Sequence, residues 1–265
     1  MKDQQLAEVW QWLDREYLAE VAQRGPVPVF ATISGAHLYG FASPDSDVDL
    51  RGAVLWPVRE LLGLEPPKKE TVELHAHERY ELDWVAHDLR KFARLMIRHN
   101  GYVLEQLYSP LVVYTTPVHD RLKEFGRGCI TRGLVRHYGG FFRSRHKRLQ
   151  EPAPTLKHLL YAYRVLLTGI HALRTGRIEA NLETLNEQHF ELPHLAALIE
   201  RKRHGAEKMP LEENGLAEHD RYLQQLHEEL HQAHAKSALP DEPTTVEALN
   251  DYVVHLRLER GAAKR

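Results

Sequence analysis

The apolar residues of the chain recur at helical spacing near its start. Leu6, Val9, Trp10 and Leu13 lie on one face of such a helix. We therefore predict an amphipathic helix over residues 3–23. The segments that follow are short and apolar or alternating, which is typical of strands: residues 27–33, 47–56, 71–74 and 79–85. The first part of the chain is thus predicted to combine helices with a sheet.

Beyond about residue 118 the pattern is helical and remains so. Apolar residues repeat there at three- and four-residue intervals, separated by segments that contain Pro or Gly. We predict two domains, an α+β head over residues 1–117 and a helical domain over residues 118–265. The expected fold class is α+β, a mixed sheet with flanking helices followed by a helical C-terminal half.

Composition places the chain among ordinary globular proteins. It has 265 residues, of which 43% are hydrophobic and 27% charged. The single cysteine, Cys129, excludes an internal disulfide and is typical of a reducing cytoplasm. A polar, acidic start predicts no signal peptide, and no apolar run is long enough to cross a membrane. We expect a cytoplasmic protein without a membrane partner. The net charge of −2 means that any attraction to nucleic acid must come from a local patch.

Two carboxylates lie two residues apart at the start of the predicted strand 47–56. Strand side chains alternate between faces, so Asp47 and Asp49 point the same way. Adjacent carboxylates repel unless a cation lies between them, and oxygen ligands on a strand suit Mg2+ or Mn2+. Upstream, the turn around Gly35 would let backbone N–H groups approach a phosphate. The pattern indicates a site for a metal-bound NTP.

These residues resemble the signature of the DNA polymerase β-like nucleotidyltransferase superfamily. That signature is an apolar residue, Gly, then Gly or Ser, a spacer, and Asp-apolar-Asp/Glu-apolar. Here it runs Ile33-Ser34-Gly35-Ala36, then Asp47-Val48-Asp49-Leu50. The whole stretch from Ser34 to Arg51 is similar to predicted bacterial and phage nucleotidyltransferases of the YcgL/RlaP type. Many relatives have Gly-Ser where this chain has Gly35-Ala36, so the usual phosphate-binding hydroxyl is missing.

The resemblance implies a polymerase β-like nucleotidyltransferase head that moves an NMP from an NTP to an acceptor hydroxyl, with release of pyrophosphate. It implies three carboxylates as catalytic metal ligands: Asp47, Asp49 and Asp83. Glu81 has the same strand parity as Asp83 and is the alternative for the third position. The nucleotide-binding residues implied are Ser34, Gly35, Ala36, His37, Arg51, Lys157 and Arg164.

Several of these residues also have a structural interpretation. Arg51 could pair with Asp45 or Asp49 instead of a phosphate, and His37 could pack within its loop. Lys157 and Arg164 share one helix face, which could be a solvated basic face. A non-catalytic nucleotide- or RNA-binding module that retains the fold is the alternative function, and the missing hydroxyl at position 36 favours it.

Residues 131–150 are rich in Arg, Lys and aromatic residues and contain no carboxylate. Such a segment could follow an RNA backbone while its aromatic rings stack on bases. Alternatively it is a solvated helix face over an aromatic core. The acceptor therefore stays open between RNA, a protein side chain and a small molecule.

A second motif competes for the chemistry. His227-Glu228-Glu229-Leu230-His231 matches the H-E-x-x-H pattern of zinc peptidases. The histidines flank the apolar side of the predicted helix instead of lining it, and most surrounding residues are Gln or Glu. We therefore expect a polar surface helix here.

Overall fold

A five-stranded mixed sheet organises the first part of the chain in the computed structural model. The structure describes residues 8–65, 70–211 and 213–262. The strands are β1 (Val27–Ile33), β2 (Val48–Leu55), β3 (Thr71–Ala76), β4 (Leu82–Asp88) and β5 (Val112–Tyr114). Their order is β3-β4-β2-β1-β5, with β2 parallel to β4 and every other neighbouring pair antiparallel. The predicted mixed sheet with flanking helices is confirmed.

Strand alternation follows the sequence pattern. In β4, Leu82, Trp84 and Ala86 are buried while Asp83 and the other odd residues are partly exposed. The buried apolar side chains of β4 therefore point to the core, and Asp83 lies on the opposite face of the sheet. The four predicted strands are present, β1 with the predicted bounds and the other three with shifted ends, and the short β5 was not predicted.

The helices flank the sheet and make up most of the later chain. They are α1 (Arg15–Ala22), α2 (Gly35–Tyr39), α3 (Val58–Leu62), α4 (Leu89–Met96), α5 (Gly101–Tyr108), α6 (Pro117–Arg127), α7 (Leu134–Leu149), α8 (Leu156–Thr175), α9 (Leu182–Leu185), α10 (Pro193–Arg203), α11 (Glu213–Lys236) and α12 (Val246–Ala262), with a π-helical turn at Asn186–Phe190. None of the helices in the described ranges is both long and apolar enough to cross a membrane.

The predicted helix 3–23 is interrupted, which corrects the sequence interpretation. Residues 8–12 are helical, the chain breaks at Asp14, and α1 begins one residue later; residues 3–7 lie outside the described ranges. The Asp14 carboxylate accepts hydrogen bonds from the backbone N–H groups of Glu16 and Tyr17, both at 3.0 Å. Its own N–H donates to the Tyr80 hydroxyl at 2.8 Å. This N-cap and the distant tyrosine replace helical hydrogen bonds that a continuous helix would need.

The chain forms two units that are not contiguous in sequence. The first contains the residues up to Gly35, then Asp47–Cys129, and the segment from Pro243 onward. The second contains Ala36–Ser46 and Ile130–Glu242. The domain boundary predicted at residue 117 stays a prediction.

Each unit has its own apolar core. In the first, Phe30, Leu50 and Trp84 of neighbouring strands are completely buried. In the second, α8 is buried along almost its whole length and carries the fully buried Tyr163. Each such large side chain contributes about 1.5–3 kcal/mol by leaving water.

Candidate active site

Two of the predicted catalytic carboxylates lie side by side on the sheet. Strands β2 and β4 are parallel, and Asp49 is the register partner of Asp83. One nitrogen of Arg51, Nη2, donates to Asp49 Oδ1 at 2.6 Å and to Asp83 Oδ2 at 2.8 Å. Sequence alternation put Asp49 on a polar strand face, and the pairing of β2 with β4 brings Asp83 beside it. The two carboxylates therefore share one positive charge.

All three nitrogens of the Arg51 guanidinium donate hydrogen bonds. Its Nη1 donates to the carbonyls of Leu50 and Asp83 at 2.8 and 2.5 Å, and its Nε donates to the Tyr102 hydroxyl at 3.1 Å. Burial by itself would lower the pKa of Arg51, but Tyr102 and the two carboxylates keep that pKa above its ordinary value. The guanidinium thus stays ionised. This favours the ion-pair interpretation of Arg51, with Asp83 as an additional partner that sequence reasoning did not predict.

Gly35 lies against Asp49 and takes a left-handed conformation. Its φ is +61°, and a Cβ added there would lie 1.9 Å from Asp49 Oδ2. The preceding residue, Ser34, donates its backbone N–H to the Asp49 carbonyl at 2.8 Å. The Ser34 side chain is buried, and its hydroxyl has no hydrogen-bond partner among the described residues. The glycine is needed here because the Asp49 carboxylate occupies the space of a side chain.

The remaining predicted metal ligand is Asp47. Asp47 is exposed and directly precedes β2. Asp83 Oδ1 lies 3.0 Å from His75 Nδ1 but accepts no hydrogen bond within residues 8–65, 70–211 and 213–262. In those same ranges, no three His, Cys, Asp or Glu side chains form a group that could hold a metal ion. The structure therefore brings Asp49 and Asp83 together without assembling a centre of three carboxylates.

The remaining predicted nucleotide-binding residues lie in the second unit. Ala36 is buried, and burial lowers the pKa of His37 to about 4 against the opposing effects of Ser46 and Glu207. His37 is therefore neutral at pH 7, and its Nε2 has no hydrogen-bond partner in the described part of the chain. Its predicted contact with phosphate stays a prediction.

Lys157 and Arg164 have different environments although they share a helix. Lys157 forms an ion pair with the Glu207 carboxylate. Arg164 is buried, with its guanidinium carbon 4.0 Å from the centre of the Tyr39 ring. The alternative of a common solvated basic face is wrong for Arg164, because α8 is packed on this side as well.

Helix α7 divides the basic and aromatic residues of the segment 131–150 between two faces. Tyr138 and Phe142 are buried, as the aromatic-core alternative predicts. Arg136, Arg143 and Lys147 are exposed, and no carboxylate partner of these three is seen in the described part of the chain. A core face and a basic face are thus both present.

The H-E-x-x-H segment lies in α11 and packs as a structural helix. His227 contacts the Phe142 ring, with 4.7 Å between ring centres, and Glu229 pairs with Arg174 at 2.7 Å. Leu226 and Leu230 are buried beneath it. Since the described residues contain no three-ligand group, this geometry gives no support to the zinc alternative.

Comparison with known proteins identifies the family. The family model described as RlaP, RNA repair pathway DNA polymerase beta family, matches residues 13–255. The chain belongs to this family. The resemblance predicted from the Gly35 turn and the Asp-x-Asp strand is thereby confirmed.

Two relatives of the chain cover most of its length. The uncharacterized protein MJ0002 of Methanocaldococcus jannaschii is 30% identical over 221 residues, covering 82% of this chain and 89% of the relative. The uncharacterized protein YcgL of Bacillus subtilis is 30% identical over 187 residues, covering 68% and 71%. A crystal structure of a nucleotidyltransferase-like protein from Exiguobacterium sibiricum matches with 13% identity and a TM-score of 0.31, over 93% of this chain and 76% of that one.

Proposed function

We propose that this protein is a metal-dependent nucleotidyltransferase that moves an NMP from an NTP to an acceptor hydroxyl and releases pyrophosphate. The observation that carries the proposal is the pairing of Asp49 with Asp83, register partners that share one nitrogen of Arg51. Membership of the polymerase β family supports the general class.

The donor atoms fit a hard divalent cation. Two neighbouring carboxylates stay ionised together only beside positive charge, and Asp83 Oδ1 is a buried oxygen without a hydrogen bond from the described residues. Carboxylate oxygens on adjacent strands suit Mg2+ or Mn2+, which Asp47, Asp49 and Asp83 would hold. When bound, such a metal neutralises phosphate charge and lowers the pKa of the acceptor hydroxyl.

The residues of the chain would hold the reacting groups and accept a proton. The acceptor oxygen forms a bond to the α-phosphorus, and the bond from that phosphorus to the α–β bridging oxygen breaks. Pyrophosphate leaves with that electron pair. Asp83 takes the hydroxyl proton as a general base through Oδ1. Arg51 bridges Asp49 and Asp83 with a positive charge, so catalysis rests on positioning and charge.

We infer single-stranded RNA as the acceptor, bound along the exposed face of α7. Arg136, Arg143 and Lys147 follow one another at spacings of seven and four residues, which aligns them on one side of the helix. Phe141 is exposed on another side of the same helix, and its ring centre lies 4.6 Å from that of His137. Cations that follow a backbone beside rings that stack on bases are typical of single-strand binding. The RNA-repair description of the family supports this inference.

A labelling assay with matched aspartate variants tests the transfer. Purified protein is incubated with each α-labelled NTP, Mg2+ or Mn2+, and either RNA oligonucleotides or a cell lysate as acceptor. Asp49→Asn is compared with Asp120→Asn, which makes the same change at an exposed carboxylate. We expect label transfer by the wild type and by Asp120→Asn but not by Asp49→Asn.

Two results would contradict the proposal. Equal transfer by Asp49→Asn would exclude that carboxylate from the reaction. Metal-dependent NTP binding without transfer to any acceptor would instead favour the binding-module alternative.

A further inference from the structure

Lys202 is a lysine whose side chain is completely buried. Its Nζ donates to Ser43 Oγ at 2.7 Å and to Glu207 Oε2 at 2.8 Å. A buried ammonium group is costly unless it is paired and hydrogen-bonded. Its two partners therefore explain how this charge is tolerated in the core of the second unit.

The Glu207 carboxylate collects several donors from the same unit. Besides Lys202, it accepts from Lys157 and from Ser46 Oγ, the latter at 2.8 Å. Burial alone would raise its pKa, but Lys157, Lys202 and Ser46 hold the pKa of Glu207 below its ordinary value. Its backbone N–H also donates to Asp45 Oδ2 at 3.0 Å. Glu207 is thus an ionised group at the centre of a satisfied polar network.

The network holds one short turn, Ser43–Ser46. Within it, the Ser43 hydroxyl donates to Asp45 Oδ1 at 2.7 Å, and the Ser43 N–H donates to Ser46 Oγ at 3.0 Å. Three of its four residues are therefore bonded to Lys202 or Glu207, which lie about 160 residues later. The residue that follows the turn is Asp47.

We infer that Glu207 and Lys202 are positioning residues for nucleotidyl transfer, which fix the Ser43–Ser46 turn that immediately precedes Asp47 in the chain. This inference rests on the proposed function. It gives Lys157 a role as a partner of Glu207 within the network. Groups that orient metal ligands from a second layer change metal affinity or activity by about 10- to 100-fold when they are removed.

The test compares two identical substitutions in one unit. Glu207→Gln removes the shared negative charge, whereas Glu229→Gln removes the carboxylate that pairs with Arg174. Hydrogen exchange is measured on a peptide spanning residues 41–49, together with Mn2+ affinity, kcat and the KM for NTP. For Glu207→Gln we expect faster exchange, weaker Mn2+ binding and a kcat lower by about tenfold, with KM little changed. Glu229→Gln should behave as the wild type.

Several results would overturn the inference. One is unchanged exchange in Glu207→Gln. Another is faster exchange with unchanged kcat and Mn2+ affinity. A higher KM with unchanged kcat would mean that the network contacts the nucleotide instead.

If Glu207→Gln does not fold, Ser46→Ala removes a single bond of the network and takes its place. If the wild type transfers no NMP, the proposed function fails. The hydrogen exchange of residues 41–49 and the Mn2+ affinity of Glu207→Gln then test the inference without the kinetic constants.

Discussion

At the scale of single residues, one guanidinium allows two carboxylates to coexist on the sheet. Arg51 satisfies Asp49, Asp83 and two backbone carbonyls at once. Breaking such a partly buried arrangement leaves like charges facing each other, which costs far more than removing an exposed pair. The charges that would hold the proposed metal ion therefore destabilise the folded state unless a cation neutralises them.

Replacing Arg51 should make folding depend on metal. We expect Arg51→Met to lower the free energy of unfolding at pH 7 by about 3 kcal/mol, because Asp49 and Asp83 lose their shared cation. Added Mg2+ should restore part of this loss, since it can neutralise the same oxygens. Thermal unfolding with and without Mg2+ measures both effects. Arg24→Met, at the exposed pair with Glu78, is the control and should show neither.

Gly35 should be intolerant of a side chain. The Cβ of Gly35→Ala would meet Asp49 Oδ2 at 1.9 Å, and the positive φ adds backbone strain. We expect a loss of about 2–3 kcal/mol in urea unfolding, with lower transfer activity. Gly25→Ala is the matched control, because Gly25 also has a positive φ but nothing lies within 4 Å of its Cβ position. An equal loss in both variants would mean that backbone strain, and not Asp49, is the cause.

At the scale of elements, α7 shows how one helix can serve a core and a surface. Its apolar and aromatic positions, Tyr138 and Phe142, pack inward, while Arg136, Arg143 and Lys147 remain in water. Helical periodicity separates the two sets. We expect a basic face of this kind to attract nucleic acid locally, although the whole chain carries a net charge of −2.

Charge reversal on α7 should weaken RNA binding without affecting the fold. We expect Arg136→Glu/Arg143→Glu to lower affinity for single-stranded RNA by at least tenfold at low salt and to flatten the dependence of log K on log salt. Fluorescence anisotropy with a labelled oligonucleotide over a salt series measures both. Arg59→Glu/Arg221→Glu changes the net charge equally at exposed positions elsewhere. Equal losses in both double variants would point to net charge alone.

At the scale of the whole chain, buried imidazoles couple folding to pH. Burial is the main cause that lowers the pKa of five histidines to about 4: His37, His87, His119, His137 and His171. They occur in both units. Each is neutral in the folded state, whereas an unfolded histidine titrates near its ordinary pKa of about 6.5.

Stability should therefore fall as the solution is acidified. Below about pH 6.5 these five histidines bind protons in the unfolded chain. In the folded chain they bind protons only near pH 4, so the free energy of unfolding decreases between pH 6.5 and pH 4. Thermal unfolding at a series of pH values measures it. His119→Gln should reduce the slope, because Gln does not titrate. A flat profile between pH 6.5 and pH 4 would contradict the burial argument.

Local pattern was enough to predict most of the elements and the strand faces on which Asp49 and Asp83 lie. Alternation places Leu82 and Trp84 on one side of β4 and Asp83 on the other, and the same argument gave the polar side of β2. The helix break at Asp14 escaped prediction because its cause includes Tyr80, which is remote in sequence. Periodicity reports which way a side chain points, and it carries no information about which distant residue it meets.

The sequence by itself determined the family, the mixed sheet with a helical C-terminal half, and the strand faces that carry Asp49 and Asp83. Only the tertiary structure decided that β2 and β4 pair in register, that Arg51 bridges their carboxylates, and that Lys157 is bound to Glu207. The physical reason is that secondary structure follows from spacing within a few residues. The partners of buried charges depend instead on which elements come together to exclude water, and those elements are far apart along the chain.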